Sequence, residues 1–595
     1  MDHPSSYKEL NVKYKVLFSF IILSLLLSIY ILQTQDYKRT NDRLYINGQI
    51  IGLEHGSSIS EAMYVSDGKI SAIGTNNEIL SYQSTNNEIY DLKNQIVLPG
   101  FIDSHSHVAL SSFFSGMVDL SGFKHRSNKE VWEYLSKYIK TKKQGEWIVG
   151  KGIDSVLVKD LKLPTLKFLD EISPNNPVIL ISQSIHTYWA NSEAFKIIGI
   201  DKQTASPSVS SFYEKDNNGN LSGTIKEQAA FMPFVDHLKK EVLTPKVMIN
   251  ATTKTLQNYA ENGNTTVVSA GLTINDKKPL RLYEHLASEQ TSLLNKLLTL
   301  VGLLPERTPF PRHFIYIRHD KLFLLPAEKQ ENDFYNILGV KHWYDGSPYT
   351  GSMYLKEPYM KSDLSQKDLK ISEQHRGEAL VSKEELSQFL KQYHNEGWQV
   401  AIHAQGDSAN EEVLDVFEQS GLDFSQSRHR LEHSVLLTSE NMTKLKELNM
   451  LPNFHINHLL YYGEALKSDL LGEERTEQIL AINSAKKADL KFAMHADQPM
   501  FESKPFRLIQ TAVERKTTAG NVIGAEQRIS VLDAIKSMTI DAAYLINMED
   551  KIGSLKEGKY ADFIILEQNP FQVSADQLEN IKVLKTFVNG NEVQF

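Results

Sequence analysis

Two histidines one residue apart, His105 and His107, end the stretch V-L-P-G-F-I-D-S-H-S-H at 97–107. On a β-strand, residues i and i+2 point to the same side, so both imidazoles can face one ion. That is a metal-ligand spacing, and imidazole suits zinc, iron and manganese alike. Taken alone, the pair would equally suit an ordinary polar strand end. Lys341, His403, His433 and Asp497 lie at the ends of later apolar runs: G-V-K-H-W-Y-D-G-S at 339–347, V-A-I-H-A-Q-G-D at 400–407, R-H-R-L-E-H at 428–433 and M-H-A-D-Q-P at 494–499. Four histidines and an aspartate on separate strand tips make a nitrogen and oxygen metal site with positions left open for water. Lys341 by itself reads as a snorkelling surface lysine.

The elements that must carry these residues follow from pattern. From about 100 to 550 the chain alternates short apolar runs with amphipathic helices, the texture of an α/β barrel. Strands are expected at 177–182, 265–269, 298–302, 339–344, 399–403, 430–433 and 491–495. Catalytic groups of a (β/α)₈ barrel sit at strand C-termini, where these polar residues fall. Ser382 to Glu385 is a capping box opening one helix, and Ser530 opens another. Segments 201–220 and 310–333 read as insertions or lid loops. At the N-terminal end, Asn47-Gly48 and Asp67-Gly68 signal two hairpins, and Asn589-Gly590 signals another near the C-terminus. Two β-rich ends predict one small sandwich built from both.

Composition sets limits. The 595 residues carry 41% apolar and 23% charged side chains, enough for a large core. The net charge of −9 and the lack of a basic stripe argue against nucleic acid as a partner. Cysteine is absent, so any metal is held by His, Asp, Glu or a modified Lys. Segment 16–32 is uncharged and follows Lys13 and Lys15. At ~1.5 Å per residue it reaches roughly 25 Å, near the lower limit for crossing a bilayer. No small-residue cleavage site follows it, which predicts an uncleaved helical anchor. The chain is then a single-pass membrane protein with its catalytic domain outside the cytoplasm.

With these residues in hand, the chain from Arg43 to Asn589 resembles the amidohydrolase superfamily, in the metal-dependent branch of the N-substituted formamide deformylases (amidohydrolase family 3). The resemblance rests on P-G-F-I-D-S-H-S-H at 99–107, Lys341 with D-G-S at 345–347, and A-I-H-A-Q-G-D at 401–407. It continues through R-L-E-H at 430–433, H-A-D-Q-P at 495–499 and G-S-L-K-E-G-K-Y-A-D at 553–562. It implies a (β/α)₈ barrel over 99–550, a sandwich over 43–98 and 551–595, and an N-terminal segment 1–42. It implies two divalent ions, zinc first and iron(II) or manganese(II) next. His105 and His107 would hold one with Asp497, His403 and His433 the other, and a carbamylated Lys341 would bridge them. His186 would polarise a substrate carbonyl, while Asn191 and Glu227 read as structural. The sequence departs from many relatives at L-P-N-F-H-I-N-H, 451–458, and at His495. His455 and His458 there are further candidates to line the pocket.

The chemistry agrees with the resemblance. Two ions sharing a water make hydroxide available near neutral pH. Asp497 can take its proton and pass it to a leaving amine, cleaving a non-peptide, amide-like C–N bond of a small molecule. An ester or cyclic amide would suit the same site. A non-catalytic scaffold of this fold would have dropped ligands, and here all six positions are filled.

Overall fold

The computed structural model describes residues 14–15, 17–19, 21–26, 28 and 42–595, apart from 184, 186, 209 and 210. Eight parallel strands form a nearly closed barrel: β1 (Phe101–Ser106), β2 (Asn264–Leu272), β3 (Arg312–Arg318), β4 (Tyr335–Trp343), β5 (Gln399–Ala404), β6 (Arg430–His433), β7 (Leu451–Phe454) and β8 (Ala493–Met494). Each hydrogen-bonds to the next in chain order, and β8 lies against β1 to bring the ends together. Strands β1, β2, β5 and β6 are wholly buried, as expected where helices cover a parallel sheet. Gly100 makes the entry to β1 possible, because a Cβ there would lie 2.1 Å from Thr265 Cγ2 on the neighbouring strand.

Both chain ends build the sandwich. One sheet joins Arg43–Ile46, Ala62–Ser66, Lys69–Gly74 and Glu88–Asp91; the other pairs Ile96–Pro99 antiparallel to Phe563–Leu566. Between them pack Tyr45, Met63, Phe563 and Phe587, the last two stacked at 4.4 Å. The turns at Asp67-Gly68 and Asn589-Gly590 close hairpins with positive φ at both residues, the geometry that matches strand twist. Asn47-Gly48 closes none. Only Asn47 has positive φ, and Arg43–Ile46 and Gln49–Ile50 enter different sheets. Sandwich and barrel are clamped by buried Arg312 at the start of β3. Its Nε and Nη2 donate to Asp562 at 2.6 and 2.9 Å.

Other expectations need correction. The run at 178–182 is a strand of a separate six-stranded sheet inserted between β1 and β2. Residues 298–300 end the helix Leu293–Leu300, capped by Ser292, since Leu293, Leu294 and Leu297 have helical spacing. Segment 310–333 holds barrel strand β3, not a lid. The capping box at Ser382 and Glu385 is present, and Ser530 caps Val531–Ser537.

The membrane anchor at 16–32 is also overturned. Among the described residues, no helix is long and apolar enough to cross a membrane. Several positions of 16–32 lie outside the described residues. The single-pass assignment, and with it the extracytoplasmic placement, falls.

Candidate metal centre

The C-terminal ends of the barrel strands bring His105, His107, Lys341, His403, His433 and Asp497 to one mouth. Asp497, three residues beyond β8, places Oδ1 2.9 Å from His107 Nε2 and 3.4 Å from His105 Nε2. Strand alternation accounts for the two histidines; Asp497 takes φ +56° to reach them. The ring of His433 lies 4.3 Å from that of His403 and 4.7 Å from that of His105. Regular alternation would turn His433 away from Glu432, the residue before it. Its φ of +73° ends β6 and accompanies its position beside the other rings. Such backbone costs of order 1–3 kcal/mol for a residue with a Cβ and clusters at working sites.

Behind the mouth lies a buried charged network. Glu432 accepts from Arg430 Nε at 2.7 Å and Nη2 at 3.1 Å, and from Asn453 Nδ2 at 2.8 Å. His105 Nδ1 is its remaining partner. Burial opposes ionisation of Glu432, but Arg430 and His105 hold it well below the usual carboxylate range. An ionised Glu432 only accepts, so Nδ1 of His105 carries the proton and Nε2 keeps its lone pair toward Asp497. His403 Nε2 lies 3.2 Å from Gln405 Nε2 and 3.4 Å from Gly346 O, and Asp345 nearby is fixed by the main-chain N–H groups of Tyr354, Gln405 and Gly406.

The electrostatics favour uncharged nitrogens. Burial, then the neighbouring Lys341, lowers His105 to about 4 and His403 to about 3. Burial lowers Lys341 to about 7, and its Nζ has no hydrogen-bond partner among the described residues. Lys341 is therefore a buried core residue, not a snorkelling one. Burial opposes the ionised form of Asp497, yet His107 and His105 hold it well below the usual carboxylate range. His433 Nδ1 and both nitrogens of His495 are buried without hydrogen-bond partners among the described residues. Neutral imidazoles, a carboxylate and orphaned donor atoms together fit a divalent cation.

Some residues in the cluster are not among the sequence-based site assignments. His495 stacks between His105 and His455, at 4.5 and 4.8 Å. Glu432 shares a strand face with Arg430 two residues earlier, a spacing that could have revealed the pair. Asn191 caps Ser192–Ile198 and binds main chain, a structural role. His186 lies outside the described residues. Its near neighbour Gln183 donates to Met500 O at 3.2 Å, bringing the inserted sheet beside the loop of Asp497.

A sequence profile described as amidohydrolase family matches residues 88–594. The chain is 26% identical to an N-substituted formamide deformylase of Arthrobacter pascens, over 92% of this chain and 97% of that protein. It is also 26% identical to protein LONG AFTER FAR-RED 3 of Arabidopsis thaliana, over 93% and 91%. The solved structure of an uncharacterized metal-dependent hydrolase from Pyrococcus horikoshii matches with a TM-score of 0.67 at 24% identity, over 90% of this chain and 99% of that one. That last likeness bears on the fold alone.

Proposed function

This chain belongs to the amidohydrolase family, and from that premise we propose which residues perform its work as a metal-dependent hydrolase of carbon–nitrogen bonds other than peptide bonds. His105, His107 and Asp497 hold a divalent ion. Lys341, His403 and His433 line the facing side, where the family pattern puts a second. The observation that carries this is the convergence of Asp497 Oδ1 on both His105 Nε2 and His107 Nε2, within 3.4 Å. Zinc is our assignment, with iron(II) and manganese(II) compatible with the same donors. When bound, the ion supplies Lewis acidity and a water of near-neutral pKa.

The protein's own groups do the rest. Asp497 is ionised at neutral pH and accepts a proton from the attacking water, then returns it to the departing amine nitrogen. His186 is assigned the donor role toward the substrate carbonyl oxygen, as that oxygen gains charge. Lys341, a fully buried amine with its pKa lowered to about 7, has a neutral fraction at physiological pH that can add carbon dioxide, releasing a proton. The carbamate would give Nζ a planar, partnered setting. The substrate class is a small N-substituted amide, with formamides first because a relative bears that name.

The test is hydrolysis of a panel of N-formyl, N-acyl and cyclic amides by metal-depleted protein, before and after zinc, iron(II) or manganese(II) is restored. Amine release that returns with metal is expected. Equal rates with and without metal, or no release from any amide, would refute the reading.

A further inference from the structure

The helix Leu293–Leu300 is turned inside out. Asn295 and Lys296 are buried, and Thr299 Oγ1 lies 3.4 Å from Nε2 of the buried His285. Leu293, Leu294, Leu297, Leu300, Val301 and Leu303 are each 41–66% exposed. A surface helix ordinarily buries its apolar stripe and gives its polar face to water. We propose that this leucine face is where two copies of the chain pair, helix against antiparallel helix, about a twofold axis at Leu297.

The spacing selects a second copy as the occupant. Leu293 and Leu294 stand four and three residues before Leu297, and Leu300 and Val301 stand three and four after it. Residues three and four apart share a helix face, so the five form one stripe that reads the same in both directions. In an antiparallel pair centred on Leu297, that residue meets its own counterpart. Leu293 then meets Val301 of the other copy, and Leu294 meets Leu300. A twofold interface requires this reciprocity, residue i touching j while j touches i. The described apolar residues between 17 and 26 are themselves exposed and do not cover this face.

The area is sufficient. Six side chains exposed to this degree present roughly 500 Å² of apolar surface, near the upper end for the largest patch on a monomer. Two such faces together remove about 1,000 Å² from water, the lower bound for a specific interface. The position leaves catalysis free. Glu289, four residues before the helix, accepts from Asn589 Nδ2 at 3.1 Å, and Asn589 N donates to Asp562, the partner of Arg312 at the start of β3. The leucine face therefore lies at the N-terminal end of the barrel, opposite the mouth that holds His105 and Asp497.

The pairing does not depend on the metal-dependent reading above. Sedimentation velocity of the full chain at micromolar concentration should give the mass of a dimer. L297E sets two carboxylates face to face on the axis, and we expect the dimer dissociation constant to rise about 100-fold or more, with far-UV circular dichroism unchanged. The chain has no cysteine, so L297C supplies one thiol per copy. Packed helix axes lie about 8–10 Å apart, which brings facing Cα atoms within disulfide reach. Mild oxidation should link L297C into a dimer and leave L163C, at an exposed leucine elsewhere, unlinked. If L297E does not fold, the smaller change in L297C decides. A monomeric wild type, a dimer that L297E leaves intact, or linkage of L297C no faster than L163C overturns the proposal. So does a monomeric wild type that co-sediments with phosphatidylcholine vesicles, which would assign the face to lipid.

Discussion

Replacing Glu432 with Gln tests the link from buried network to ligand. The carboxylate accepts from Arg430 and Asn453 and faces Nδ1 of His105. A glutamine can offer its oxygen to Arg430 only by turning its NH₂ toward His105. Nδ1 must then accept, the proton moves to Nε2, and the lone pair that faces Asp497 is lost. Losing such an outer partner typically costs about 10–100-fold in metal affinity. Arg430, which has no exposed surface, also keeps its charge without its counter-ion. Removing one member of a buried pair costs about 3–5 kcal/mol. We therefore expect Glu432→Gln to lower zinc affinity in chelator competition by that 10–100-fold and to lower the urea midpoint of the metal-free protein. Wild-type affinity and midpoint together would show that Glu432 neither sets the tautomer of His105 nor stabilises Arg430.

Other outcomes follow from the same geometry. Asp497→Asn keeps shape and loses the proton acceptor, so turnover per bound metal should fall by about 10²–10⁴; unchanged turnover would assign the proton step elsewhere. In metal-free protein, His105 and His403 have folded pKa values of about 4 and 3, both below the unfolded value near 6.5. The unfolded chain therefore binds protons first, and stability falls as pH drops from about 6.5 toward 4. The slope is ~1.4 kcal/mol per pH unit for each ring. Urea midpoints at pH 7.5 and 5.5 that coincide would contradict this. Arg312→Ala should destabilise by about 3–5 kcal/mol by stranding Asp562 between barrel and sandwich; an unchanged unfolding midpoint would mean the clamp contributes nothing.

Much of the site was legible because strand geometry is local. His105 and His107 share a face by alternation, and Lys341, His403 and His433 end apolar runs that could be seen as strands. What escaped depends on partners far away in sequence. Glu432 gains its meaning from His105, and His495 from the rings of His105 and His455, none of them neighbours along the chain. Strand β3 was hidden because Arg312 and His313 look like surface residues; one is buried against Asp562 and the other against Ser269. The run at 178–182 could be identified as a strand, yet an apolar run does not say which sheet it joins. The helix Leu293–Leu300 was misread because its last residues, taken without Ser292 and Leu293, show no period.

The sandwich imposes an order on biosynthesis. Ile96–Pro99 finds its antiparallel partner in Phe563–Leu566, which is made about 460 residues later. At roughly 5–20 residues per second, the ribosome needs on the order of half a minute or more between them. Throughout that interval Val97 and Leu98, fully buried in the finished protein, await Ile564 and Ile565, their partners across the sheet. Nascent chains should accordingly need shielding of this stretch until termination. A truncation that removes only the last forty or so residues should aggregate through its N-terminal strands, although every barrel residue is present.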